Sequence, residues 1–253
     1  MIRGIEPDAA AGTKAEAAIS TSPETAPDAA RVPVRWWIAA VLVLLAGFGL
    51  LLWQVESHGP VTHFDVRVRD RFLGWSASAH WFFHPARAMA DLGNQEVSPI
   101  VLVAVTALVV RRVRSWRPAV VTAAALAALA TVIPLKIWIG RPGPGASALG
   151  DAAFGFFPSG HTADAMLCYG TSAMLVVLFA VPAANDTSRA RIVRRLISAV
   201  AVLFVLLTMF GLLWSDFHWL SDLGGSLCWC GAALIGLYLL ARRLALPAEP
   251  VGR

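Results

Sequence analysis

Six stretches of the chain are almost free of charge and run long enough to be helices. They cover approximately residues 36–55, 97–110, 118–139, 162–183, 196–215 and 222–241. Most approach the ~20 apolar residues that an α-helix needs to cross the hydrocarbon core of a bilayer. The second is short, and its start extends backwards through Asn94, Gln95 and Glu96. Residues 1–34 have a different composition, rich in Ala, Pro, Thr, Glu and Asp with no bulky apolar run, which predicts a disordered tail. The pattern predicts three segments: tail 1–34, a six-span helical bundle over 35–243, and a short tail at 244–253. The first apolar stretch spans a membrane and begins too late for a signal peptide.

Composition removes the competing classes. Of the 253 residues 57% are hydrophobic and only 15% charged, and mean hydropathy is +0.65. A soluble domain has about 25% charged residues, so this chain cannot clothe a water-facing surface of its size. The fold class is therefore an all-α integral membrane protein. Cys168, Cys228 and Cys230 all lie in apolar stretches, without the spacing of a metal site or a disulfide framework, and read as small buried hydrophobes. No carboxylate cluster suited to a divalent metal stands out, and no cofactor is implied.

Charge then orients the bundle. Net charge is +5 and the pI about 9.7. With six spans, Arg31, Arg35, Arg111, Arg112, Arg114, Arg117, Arg189, Arg191, Arg194, Arg195, Arg242 and Arg243 all fall on one side, which is the cytoplasmic side by the positive-inside rule. The basic pI is thus an orientation signal and not a sign of nucleic-acid binding. Both termini are expected inside. The connection 56–93 departs from the rule, with Arg67, Arg69, Arg71 and Arg87 among acids and aromatic residues, and reads as a helix lying in the membrane interface.

The opposite, outer side collects ionisable groups at span ends, where such groups mark function. Lys136 closes the third span, just before Arg141. The run Pro158-Ser159-Gly160-His161 opens the fourth span, and His218 and Asp222 open the sixth. Backbone N–H groups at a helix start, with a glycine allowing close approach, form an anion pocket. The Ser159 hydroxyl adds a donor and the Lys136 ammonium a positive charge suited to phosphate. His218 and Asp222 are four apart and share a helical face. A carboxylate on one imidazole nitrogen makes the other a better nucleophile or base.

These segments resemble the signature motifs of the type 2 phosphatidic acid phosphatase and vanadium haloperoxidase superfamily: Lys-x6-Arg-Pro, Pro-Ser-Gly-His and Ser-Arg-x5-His-x3-Asp. The resemblance covers most of residues 36–243. It implies a six-helix membrane phosphatase with its site on the non-cytoplasmic face of a bacterial-type inner membrane. It also implies that Lys136, Ser159 and Gly160 bind phosphate, that His161 is the general acid, and that His218 is the nucleophile activated by Asp222. The implied substrate is a lipid phosphate or pyrophosphate of the phosphatidic acid, phosphatidylglycerol phosphate, undecaprenyl pyrophosphate or lipid A kind. The chain departs from the pattern twice. Gly143 stands where motif one has Arg, and Gly211-Leu212 stand where motif three has Ser-Arg. Arg141, two residues early, is the candidate replacement for phosphate binding, with Arg67, Arg69 and Arg71 reaching over the site as another source of charge. Asp216 would oppose an anion if it faced inward. Transfer of the phosphoryl group to an acceptor hydroxyl, or lipid binding without turnover, are the alternatives to hydrolysis.

Overall fold

The computed structural model describes residues 33–145, 154–181 and 187–245. The tails expected at 1–34 and 244–253 fall almost wholly outside them. The described residues form helices joined by turns, with no strand among them. In chain order they are α1 (Val34–Glu56), α2 (Pro60–Ser78), a 3-10 turn (His80–Phe82), α3 (Phe83–Asp91), α4 (Ser98–Val113), α5 (Arg117–Ala130), α6 (Val132–Ile139), α7 (Gly160–Leu175), a π turn (Val176–Ala180), α8 (Ser188–Trp214) and α9 (Leu220–Ala245).

Local chemistry sets the boundaries. Proline enters the first turn of α2, α4 and α5, where its missing N–H has no helical partner to lose. Ser159 and Thr187 cap α7 and α8, accepting from the N–H of Thr162 and Ala190. Gly140 ends α6 in the left-handed conformation at φ 60°. The third apolar stretch breaks at Thr131. Pro134 lies just beyond and offers no N–H to the Ala130 carbonyl. The Thr131 hydroxyl donates to the Ala128 carbonyl at 2.6 Å and accepts the Trp229 indole N–H at 2.9 Å.

Among the described residues, five helical units are long and apolar enough to cross a membrane: α1, α5 with α6, α7 with its π turn, α8 and α9. The remaining expected span is α4, whose 16 residues reach about 24 Å at 1.5 Å per residue. Its backward extension through Asn94–Glu96 does not form. Those residues make a turn in which the Asn94 side chain accepts from the Glu96 N–H at 3.1 Å. Helix α4 nevertheless packs on α5 and α7, so the chain is a multi-pass helical membrane bundle.

Helix α7 lies at its centre, against α4, α5, α8 and α9. Leu102, Val121, Ala125, Ala163, Leu167 and Cys230 form the core there, each almost without exposure. Large apolar side chains such as Trp36, Leu42, Ile100, Leu108, Ile192 and Val202 point outward instead. Lipid is as apolar as they are, so the outward face carries no hydrophobic penalty. The interfacial segment forms two helices, α2 and α3, rather than one. Helix α2 packs on α9 and α8, and α3 packs along α8.

Candidate functional site

The C-terminal end of α6 and the N-terminal ends of α7 and α9 meet at one end of the bundle. The turn before α7 is tied to α9: the Ser159 N–H donates to the Asp222 carbonyl at 3.1 Å, and the Ser226 hydroxyl donates to the Ser159 carbonyl at 2.7 Å. Phe157 is fully buried beneath this turn, against Phe48 at 5.6 Å between ring centroids. These contacts fix the start of α7, and with it His161, relative to the start of α9.

The two histidines come together across that junction, with ring centroids 6.4 Å apart. His218 Nδ1 is 3.1 Å from Asp222 Oδ2, so Nε2 is the nitrogen left for chemistry. The same carboxylate oxygen accepts from the Trp219 N–H at 3.0 Å. His218 is 7% exposed and Asp222 has no exposure. The Lys136 ammonium reaches the N-terminus of α7, where a Cβ on Gly160 would lie 3.5 Å from Nζ. A positive side chain and the free N–H groups of a helix start thus converge beside His161.

One of the expected phosphate ligands is placed otherwise. Arg141 is 9% exposed and does not open toward an anion. Its Nη1 donates to Asp222 Oδ1 at 2.5 Å and to the Ser221 hydroxyl at 2.7 Å, and its Nη2 donates to Asp65 Oδ2 at 2.8 Å. Two buried carboxylates outweigh the one positive charge and hold the guanidinium at the rear of the His218–Asp222 pair. The Ser159 oxygen accepts from the Thr162 N–H as the cap of α7, a bond that uses a lone pair and not the hydroxyl hydrogen.

The missing arginines are explained by packing. A Cβ on Gly143 would lie 2.5–2.7 Å from the Phe156 ring, and that ring stands 5.4 Å from His218. Leu212 has no exposure and joins Ala90 and Leu223 in a small core. Both motif positions are filled with apolar contacts. Nor do Arg67, Arg69 and Arg71 gather over the site. Arg69 forms a two-point ion pair with Asp216, at 2.7 and 2.8 Å, and stacks on Trp219. That carboxylate raises the Arg69 pKa further above its ordinary value, and the pair leaves Asp216 compensated rather than facing an anion alone. Arg67 lies over Phe64 and Arg71 is exposed.

Three acids escaped the sequence reading as site residues. Asp65 is 2% exposed and binds Arg141 and Ser221 from α2. Asp91, paired with Arg87 at 3.3 Å, lies within electrostatic reach of His161. Asp164 lies one turn below His161, within reach of Lys136. An ionisable group inside an apolar stretch is itself a signal, and Asp164 carried it. Asp65 and Asp91 sit in a segment dense with charge, where nothing local distinguishes them.

Comparison with known proteins places this arrangement. A search of curated protein sequences gives no match. The crystal structure of the first transmembrane PAP2-type phosphatidylglycerolphosphate phosphatase from Bacillus subtilis superposes with a TM-score of 0.66, over 81% of this chain and 94% of that one, at 18% sequence identity. At that identity the likeness establishes the fold. A family model described as the PAP2 superfamily matches residues 116–245, a span that holds α5 to α9 and with them Lys136, His161, His218 and Asp222. The chain belongs to the PAP2 superfamily.

Proposed function

We propose that the protein is a membrane lipid phosphatase that works through a phosphohistidine on His218. The observation that carries this reading is the His218–Asp222 contact at 3.1 Å, facing His161 and the Lys136 ammonium at the start of α7. Asp222 holds the proton on Nδ1, so the Nε2 lone pair attacks phosphorus. The bond from phosphorus to the lipid oxygen breaks, and protonated His161 gives its proton to that oxygen. A water then attacks the phosphohistidine, neutral His161 takes its proton, and inorganic phosphate leaves with the N–P bond electrons returned to His218. Lys136 and the α7 N–H groups hold the non-bridging oxygens, where charge stabilisation does most of the work of phosphoryl transfer. Arg141 acts behind Asp222 as a positioning residue. The site lies on the non-cytoplasmic face of a bacterial-type inner membrane, with the arginine-rich end opposite.

The test is phosphate release by detergent-purified protein from phosphatidic acid, phosphatidylglycerol phosphate, undecaprenyl pyrophosphate and lipid A phosphates. Quenching turnover of a labelled substrate in alkaline detergent would trap a phosphoprotein that is stable to base and lost in acid. Activity that survives His218→Ala overturns the mechanism. Lipid binding without any release makes the chain a binding protein, and product that appears only with an added acceptor alcohol makes it a transferase.

A further inference from the structure

We propose that Arg87 of α3 is the phosphate-binding arginine of this site, standing in for the motif-three arginine that Leu212 replaces. The proposal rests on the phosphatase reading above and adds a ligand that no motif contains.

The replacement at 211–212 is a seat for a helix. A Cβ on Gly211 would lie against the Ala90 N–H and 2.5 Å from the Ala86 carbonyl, so α3 crosses α8 backbone to backbone. Leu212 completes the contact with Ala90. A serine at 211 would push α3 off, and an arginine at 212 would point into the core that α3 closes. Gly211 and Leu212 therefore bring α3 to the site in the same step that removes the motif's own cation.

What α3 brings is Arg87, the residue after Ala86. Its guanidinium lies 4.7 Å from the centroid of the Phe217 ring, and Phe217 directly precedes His218. At the far end of the same helix, a Cβ on Gly93 would run into the His161 carbonyl. Helix α3 and the turn after it thus abut both histidine segments, and Arg87 lies within electrostatic reach of His161. Stacking on an aromatic face holds a guanidinium plane while leaving its edge donors free.

Availability separates Arg87 from its neighbours. Arg141 is tied by two buried carboxylates and Arg69 by both oxygens of Asp216. The Arg87 side chain is 51% exposed and meets Asp91 through Nε alone, at 3.3 Å. Its two Nη groups donate no hydrogen bond among the described residues. They are the fork that grips a phosphate in two places, and a solvent-exposed pair of this kind holds them weakly.

The experiment compares wild type, Arg87→Gln, Arg87→Lys, Asp91→Asn and the exposed-charge control Arg71→Gln in detergent. It reads lipid phosphate hydrolysis, thermal midpoint, and binding of orthovanadate, a five-coordinate mimic of the transferring phosphoryl group. Arg87→Gln is expected to lower kcat/KM by about 10²–10³-fold, the loss typical of one oxyanion donor, and to weaken vanadate binding in parallel at an unchanged midpoint. Arg87→Lys should recover part of both, while Asp91→Asn keeps the wild-type midpoint and Arg71→Gln keeps vanadate affinity within about threefold of wild type. The proposal is overturned if Arg87→Gln binds vanadate as wild type does. It is equally overturned if Arg87→Gln and Asp91→Asn lose binding and midpoint together, which would mark a structural ion pair. A wild type that hydrolyses no lipid, yet loses vanadate affinity on Arg87→Gln, keeps the Arg87 assignment and overturns the phosphatase reading alone.

Discussion

Asp65 is the most informative residue to remove, because it lies outside the region matched by the family model and yet holds the rear of the site. Its side chain is 1% exposed. Oδ1 accepts from the Ser221 N–H at 2.9 Å, and Oδ2 accepts from the Ser221 hydroxyl at 2.5 Å and from Arg141 at 2.8 Å. Asp65→Ala leaves a buried guanidinium with one counter-charge instead of two and strips two donors of Ser221 at the start of α9. Breaking a buried pair costs about 3–5 kcal/mol. Asp222 still compensates Arg141, so the lower end applies, near 3 kcal/mol. In a chain of this size 1 kcal/mol is worth about 2–4 °C, so the thermal midpoint in detergent should fall by roughly 6–12 °C. Arg141 would then draw closer to Asp222 and compete with His218 for the carboxylate, so kcat should fall while KM changes little. Asp65→Asn, which keeps the shape and an acceptor for Ser221 but not the charge, should lie between. A midpoint within 2 °C of wild type together with an unchanged kcat would refute the view that this buried network sets the position of Asp222.

Three further outcomes follow from the same contacts. Restoring the motif by Leu212→Arg should unfold the protein rather than activate it, because the new cation enters a core without a partner; size-exclusion profiles of the detergent-solubilised protein would show this, and a folded, more active variant would contradict it. Phe157→Ala should cost about 3–5 kcal/mol, since its ring is fully buried beneath the α7 turn, and should appear both as a lower midpoint and as lost activity. Asp216→Asn breaks only a partly exposed pair, 27% and 23% open, so the change in midpoint should stay below what about 1 kcal/mol produces.

The spans were legible because their information is local. Twenty apolar residues in a row state their own environment, and the boundaries at Pro60, Ser159 and Gly140 follow from residues at those positions. The His218–Asp222 pair was legible for the same reason, since a separation of four places two side chains on one helical face. The break at Thr131 is hidden in the pattern although Pro134 announces it, because an unbroken apolar run reads as one helix. The largest misreading concerned charge. Along the chain, Arg141 counts as a cation gained by a phosphate site and Leu212 as one lost. What decides their roles is the rotation of α2, which turns Asp65 and not Asp70 inward, and the depth at which α3 meets α8. Both are long-range packing outcomes of a segment whose own pattern says only that it lies at an interface. Once α2 delivers Asp65, Arg141 is drawn behind Asp222, and the cation it would have offered to phosphate is spent on holding a carboxylate. Once α3 is seated on Gly211, Arg87 arrives beside His218 from a helix that carries no motif. The basic charge of this site is therefore a property of which helices close around the histidines, and the segment between the first two spans supplies two of those helices.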